Sequence, residues 1–396
     1  MKRISFLCLS GILLGASLCL AAVQEVETAD GVRFIHNVKG GIWGGAPKVG
    51  IELVRKIGDV DAKDENLAFN LPNDVAVDSQ GNIHILDAAN SRIQKFGPDG
   101  TYLATIGRKG QGPMEFMMPD SVNFDAAGGL VVLDSMQRRF QIQESGRDAK
   151  IVTMRDEWLS KLRCLRSGLF VAKGPTYPLR GQTSGPLRLI KVVDEAGKIQ
   201  REFGTMTDFG EVITNSHGNT IAFDVDPSDA ILVVFLYQNR IEKYAADGRL
   251  IWRADRSLNY GTEVKKRAKT IKQPGRGTAI VEAEMNSVAV GIAADEHERA
   301  WIATFNRQLK ESETVHTRMI VSGSGTINQF SAKVVGDTDL RTTDALKLEV
   351  FDADGILLGE LPLTHFVDAI RIAGDFLFLI DSQRGATVYQ YKIIEK

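Results

Sequence analysis

Four oxygen-bearing residues recur where the chain returns to a similar local sequence: Asn73 and Asp120, 47 positions apart, then Asn219 and Asp368. Each precedes a short apolar run. At the starts of equivalent strands they would converge as a ring of side-chain oxygens. Such a ring suits a hard cation such as calcium, or a polar ligand held by hydrogen bonds. A solvated polar funnel is the plainer reading, and residue type alone favours it. The chain has six histidines, His36, His84, His217, His297, His316 and His365. His217 and His365 align near the same strand starts. With Asp120 and Asp368 they form the set a metal-assisted hydrolase or lyase would draw on, which is the alternative reading of function. Two histidines on separate units fall short of the three protein ligands usual at catalytic zinc. The sequence also lacks a Gly-x-Ser-x-Gly elbow, a phosphate-binding loop and a paired-cysteine metal site. No catalytic residue is assigned, and no cofactor is expected beyond an optional divalent cation.

The elements that position these residues are repeats. Residues 118–134, MPDSVNFDAAGGLVVLD, match residues 71–87 at a constant shift of 47, with Pro72 on Pro119, Val75 on Val122, Asp78 on Asp125, Gly81 on Gly128, Asp87 on Asp134 and Arg92 on Arg139. Weaker copies occupy 161–204, 218–255, 285–362 and 366–396. In the copy at 218–255, Asp224 is set against Asp78, Arg240 against Arg92, and Phe235 replaces Asp87. Each unit reads as four short strands separated by Gly and Asp turns, and a period of roughly 45 residues in four-stranded units is the signature of propeller blades. The expected fold is therefore all-β: a six-bladed β-propeller with blades at about 71–107, 118–154, 161–204, 218–255, 285–362 and 366–396. The last unit stops after three strands. Residues 51–58, similar to the fourth strand of the first unit, are expected to complete it and close the ring, which removes two exposed sheet edges.

Recurrent residues have local work to do. Glycines at 81, 128 and 248 suit turns that need positive φ, and aspartates 99 and 247 suit turns that bond their own backbone. Asp87 with Arg92, and Asp134 with Arg139, are expected to brace one strand against the next. Two insertions, 256–284 and 306–345, break the period, and in repeat folds such loops gather on one face and often bind. The first carries a basic run in which Lys265, Lys266 and Arg267 are candidate loop contacts for an anionic partner, against the blander reading of a solvated helix and loop.

The pattern P-x-x-V-x-x-D-x-x-G, continued through D-x-x-x-x-R-I, and the linking run IGRKGQGPMEFMMP at 106–119 resemble NHL repeats and the bacterial exported six-bladed propellers built from them. The resemblance is sharp over residues 51–145. It implies a binding platform first, with enzymes such as amidating lyases a minority whose several histidines find no convincing counterpart here.

Residues 1–22 begin with Lys2 and Arg3, continue through an apolar stretch and end in Ala21 and Ala22, which reads as a secretory signal. Residues 23–50 read as an N-terminal extension. Export to a periplasmic, extracellular or envelope-associated location is expected, without a transmembrane span in the mature chain. Leu18 before Cys19 argues against lipidation. Cys164 would be the one remaining cysteine, so no internal disulfide is expected. Setting Lys2 and Arg3 aside, the 48 basic residues become 46 against 50 acidic ones, a balance that argues against nucleic acid as partner. The expectation is a monomeric, non-catalytic binding or scaffold module for a protein, peptide or carbohydrate, working at the channel mouth and the inserted loops.

Overall fold

A computed structural model describes residues 24–29, 31–154, 158–177, 186–273, 277–281, 283–322 and 329–396; the signal-like segment lies outside them. Six four-stranded antiparallel units follow one another around a ring. Their innermost strands are Pro72–Val77, Ser121–Phe124, Ser160–Cys164, Ile221–Val225, Ala289–Ala294 and Ala369–Ala373, in blades 1 to 6. Each inner strand neighbours the next, and that of blade 6 returns to that of blade 1. The sixth blade has only three strands of its own. Val49–Ile57 supplies the fourth, pairing antiparallel with Thr387–Glu395 from Val49 opposite Glu395 to Ile57 opposite Val388. The ring is thus closed by backbone hydrogen bonds between the two ends of the chain.

The strands alternate short apolar runs with Asp and Gly turns for a physical reason. Asp78, Asp125, Asp226 and Asp295 each accept backbone N–H groups two and four residues ahead, which folds the inner hairpins of blades 1, 2, 4 and 5. The blade-4 alignment consequently shifts by two residues from that read in the sequence: Asp226, not Asp224, stands at the Asp78 position, and Ile221, not Asn219, at the Asn73 position. Asp87 and Arg92 brace as expected, at 2.7 Å. In blade 2 Arg139 instead donates to the carbonyls of Gln111, Gly112 and Glu115. In blade 4, where Phe235 replaces the aspartate, the Arg240 guanidinium lies 4.2 Å over the Phe235 ring.

The core lies in the seams between blades. Six clusters of buried side chains each join two neighbouring blades, among them Phe140 with Phe170 between blades 2 and 3, and Trp252 with Phe351 between blades 4 and 5. At the axis the packing changes character. Asp74 of blade 1, Arg163 of blade 3, Asp224 of blade 4 and Arg371 of blade 6 form a closed ring of alternating charge: Arg163 reaches Asp74 at 3.0 Å and Asp224 at 3.1 Å, and Arg371 reaches Asp224 at 2.7 Å and Asp74 at 3.5 Å. The remaining two blades join through backbone, Val122 N–H donating to Asp74 at 3.2 Å and Ala294 N–H to Asp224 at 3.1 Å. Burial pushes the Asp74 carboxyl up, but Arg163, Lys161 and Arg371 outweigh it and hold it below the usual range.

The N-terminal extension is built into the ring. Gln24–Ala29 and Val32–Asn37 form a hairpin whose second strand runs parallel to Leu250–Arg256, widening blade 4 to six strands. The chain then crosses blade 5. Asn37 donates to the Asp255 and Gly355 carbonyls and accepts from Leu357 N–H, and Ile42 and Trp43 N–H groups donate to Leu357 and Leu358 carbonyls. Trp43 is buried against Gly359, where a side chain would collide with the indole. Gly41, with φ of 65°, passes so close that a Cβ would sit 2.7 Å from the Leu358 carbonyl.

Two outcomes follow for stability. Trp43→Ala empties a seam-facing pocket and should cost about 3 kcal/mol, and Gly41→Ala should lower Tm as well, because the strap must lift off blade 5; unchanged urea midpoints would show that the strap carries no stability. Asp74→Ala leaves two guanidiniums short of charge and should cost about 3–5 kcal/mol, whereas replacing all four charged residues of the axial ring with Leu and Met should cost much less. Equal losses in the two variants would remove the charge argument.

Candidate functional site

The inner-strand entrances form one mouth of the channel, and β-bulges aim residues into it. Ladder register shifts between Pro72 and Asp74, Ser160 and Leu162, and Ala289 and Gly291 leave Asn73, Lys161 and Val290 as the extra residues of blades 1, 3 and 5. A bulge turns a side chain out of the regular alternation, and such features cluster beside functional sites. Lys161 adopts φ of 48°, a left-handed conformation that costs a residue with a side chain roughly 1–3 kcal/mol. The corresponding positions of blades 2, 4 and 6 are Asp120, Ile221 and Asp368. The mouth is therefore amphipathic. Asp368, Asn73, Asp120 and Lys161 give a polar arc over blades 6, 1, 2 and 3; Ile221 and Val290 give an apolar one over blades 4 and 5.

The polar arc is tightly wired. Lys161 Nζ donates to the Asn73 carbonyl at 3.0 Å and the Asp120 carbonyl at 2.7 Å. Asn73 Nδ2 points at the Pro119 carbonyl, 3.4 Å away. Asn73 Oδ1 and Asp120 Oδ1 are buried and lack a hydrogen-bond partner within the protein. Burial pushes the Asp120 carboxyl up, with Asp134 adding to it against the opposing pull of Lys161, Ser135 and Lys173, and it comes to about 6. Burial lowers the Lys161 and Lys173 amines, although Asp74 and Asp120 favour the charge on the first and Asp120 on the second. Asp368 accepts the Ser382 and Gln383 N–H groups and the Gln383 amide; burial and then Asp381 raise its carboxyl. Two ammoniums beside Asp120 disfavour a cation there, and among the described residues no group of three or more His, Cys, Asp or Glu side chains is placed to hold a metal.

Next to this arc lies a groove of ≈ 530 Å³ lined by Leu71, Asn73, Met118, Val315, His316, Asp368, Ser382 and Gln383. It shares Val315, Asp368 and Gln383 with a second hollow of ≈ 260 Å³ on the apolar side, walled by Tyr237, Val290, Phe305, Leu309 and Phe366. The two insertions and a short helix reach the same side. The hairpin Val315–Ser322 with Gln329–Gly336 rises from blade 5 and is held at its base by Arg307 bonded to Glu313, while Arg384 donates to the Glu313 carbonyl and stacks on Phe366. The hairpin Lys269–Gln273 with Gly277–Val281 is tied to the helix Val212–Gly218 through Ala268 N–H and Thr214 Oγ1 at 3.0 Å.

The other candidates of the sequence have local partners. Asn219 caps that helix: its amide donates to the Thr207 and Asn215 carbonyls, and its Oδ1 accepts from Thr207 N–H and Gln238. His217 stacks on Tyr237 with ring centroids 4.0 Å apart. His365 is buried between chains of contacts, its ring 3.9 Å from Tyr389, Nδ1–H donating to the Phe366 carbonyl and Nε2 accepting from the Tyr391 hydroxyl at 2.9 Å. Burial lowers its pKa, against the opposing hydrogen bond to the Phe366 carbonyl. Lys265 bonds Asn286 at 2.6 Å, Lys266 pairs with Glu284 at 2.6 Å, and Arg267 lies beside Asp208 and Glu211. Lys173 escaped sequence reasoning because it stands on the second strand of blade 3, at the position held by Asp87 in blade 1, with no motif around it.

The raised Asp120 carboxyl sets a pH test. Between the usual aspartate range and about 6 the folded chain binds more protons at this site than the unfolded chain, so ionisation removes stability as pH rises through that window. Asp120→Asn should gain in Tm on the wild type from pH 4 to pH 7, and a carboxyl carbon titration should place the Asp120 midpoint near 6. A midpoint near 4 would show the site to be well hydrated.

Residues 62–141 match the protein family described as a 6-bladed beta-propeller. Over 97 residues the chain is 33% identical to NHL repeat-containing protein 3 of Homo sapiens, a stretch that is 23% of this chain and 28% of that relative; the same share is matched in Mus musculus. The chain therefore spans little more than a quarter of these relatives. A member of the duf4221 family from Bacteroides vulgatus superposes with a TM-score of 0.55 at 9% identity, covering 88% of this chain and 99% of that one. A Bacteroides fragilis protein gives 0.54 at 12% identity over 92% and 99% of the two chains. Identities this low speak for the fold alone. With six closed blades and the family match over residues 62–141, the chain is a six-bladed β-propeller.

Proposed function

We propose that the protein is an exported, non-catalytic binding module that takes a protein, peptide or carbohydrate ligand at the inner-strand mouth. One observation supports this most: both insertions, the helix Val212–Gly218 and the two adjoining hollows gather on the face where the bulged residues Asn73, Lys161 and Val290 emerge. Elaboration confined to one face of a repeat scaffold is how such folds acquire binding sites. The axial charge ring blocks the channel below, so a ligand on this face meets a floor, not a passage. A hydrolase or lyase built on Asp120, Asp368, His217 and His365 gains less support, because His365 is enclosed between two tyrosines and a backbone carbonyl. Export is supported by the signal-like residues 1–22, and among the described residues no helix is long and apolar enough to cross a membrane.

A photo-crosslinking residue placed in the producing cell at Val315, at Tyr237 or at Leu103 tests this reading. Val315 and Tyr237 line the mouth hollows, whereas Leu103 is half-exposed on the outer rim. Adducts are expected from the first two positions, in the exported fraction. Adducts from Leu103 alone, or protein retained in the cytoplasm, would overturn the proposal.

A further inference from the structure

Within the binding reading above, on which it rests, we infer that the ligand at the mouth is a carbohydrate, whose hydroxyls bond Asn73, Asp120 and Lys161 while a ring face lies toward the apolar arc. The chemistry of the unmet groups selects it. Asn73 Oδ1 and Asp120 Oδ1 are buried acceptors without a protein partner, and a buried acceptor left unmade costs about 1–3 kcal/mol. They therefore call for a donor. An ammonium has three protons, and two of those on Lys161 are used on the Asn73 and Asp120 carbonyls, so one donor remains beside the two acceptors. A hydroxyl both donates and accepts and can serve both needs from one atom. A carboxylate or phosphate only accepts and would leave the two oxygens unmet. A cation or a ligand ammonium would face Lys161 and Lys173. A peptide backbone divides the two roles between separate atoms, one N–H and one C=O per residue, and the next such pair on the same side of an extended chain follows about 6.8 Å later, a spacing suited to ladders and not to one compact cluster.

The surroundings agree with a ring that is polar at its edge and apolar on its face. Asp368, Ser382 and Gln383 extend the polar arc along the groove. Tyr237, Val290 and Phe366 form the opposite wall, and the Phe366 ring is held by Arg384 stacked on it at 3.5 Å. Aromatic and aliphatic surface facing a row of fixed polar groups is the usual composition of a small-ligand site.

The test is calorimetric titration of the full protein with neutral hexasaccharides of glucose (α- and β-linked), xylose, mannose and N-acetylglucosamine, and with a mixture of extended decapeptides. At least one hexasaccharide should bind, and Asp120→Ala and Lys161→Met should each weaken it about tenfold or more, the loss of one hydrogen bond to a charged group. A readout without mutation accompanies this: saturating sugar should lower the Asp120 carboxyl midpoint, because a donated hydroxyl favours the carboxylate. Silence from every hexasaccharide overturns the inference, as does binding that neither variant weakens and that leaves the Asp120 midpoint in place. Decapeptide binding sensitive to Lys161→Met, with the sugars silent, would sink the carbohydrate inference and leave the binding module standing. Sugars and peptides both silent, with no crosslinks at Val315 or Tyr237, would sink both.

Discussion

The ring of Asp74, Arg163, Asp224 and Arg371 is the constraint on which the rest of this propeller depends. Six inner strands meet at an axis where their residues cannot fill space as blade seams do, and the chain closes that gap with charge. Each carboxylate binds both guanidiniums and one backbone N–H from the following blade, so all six inner strands are tied through two acids. The arrangement repeats after three blades: acid in 1 and 4, amide in 2 and 5, arginine in 3 and 6. Buried ion pairs contribute little net stability relative to apolar packing, but breaking one is costly, which makes them effective at fixing register. Here the register fixed is that of one blade against the next. It determines that the bulged residues above the ring share one mouth.

Closure around that axis depends on the N-terminus twice. Val49–Ile57 completes blade 6 by a ladder with Thr387–Glu395. Upstream, Val32–Asn37 adds in parallel to the outer strand of blade 4, and the connecting stretch is fastened to blade 5 through Asn37, Ile42 and Trp43. Three consecutive blades are thereby strapped from outside by the segment that seals the ring. Two of these blades, 4 and 5, carry the helix and both inserted hairpins, so the strap braces the part of the ring that bears the added mass.

What the sequence disclosed follows from what repeats. Turn aspartates and glycines must recur because every hairpin needs the same backbone bonds, and so the blades and the closing strand were legible. The axial ring was not, because its members break the repeat: Asp74 and Asp224 lie at different depths of their strands, and Arg163 and Arg371 answer them from blades with no matching motif. Period-two alternation also misled the alignment of blade 4. Asp224 and Asp226 both suit a strand end, and only the turn bonds accepted by Asp226 tell them apart, which moved Asn219 off the mouth and brought Ile221 onto it. The extension at 24–46 gave no signal at all, since its pairing is to a strand more than two hundred residues away.

That two-residue shift changes the physical character of the mouth. With Asn219 in place the ring of entrance residues would have been polar nearly all round, as a hydrated funnel or a cation site requires. With Ile221 and Val290 there instead, one side has no polar group to offer and water gains little by covering it. The insertions rise on that side: the blade-5 insertion lines the apolar hollow through Leu309 and Val315, and the blade-4 helix brings His217 against Tyr237. Under the proposed binding role, a mouth divided this way would orient a two-faced ligand, because turning it over would bury its polar edge against Val290 and Phe366 and leave Asn73 and Asp120 unmet. That proposed orientation would rest on the blade entrances and the Phe366 connection, before the inserted hairpins make any contact.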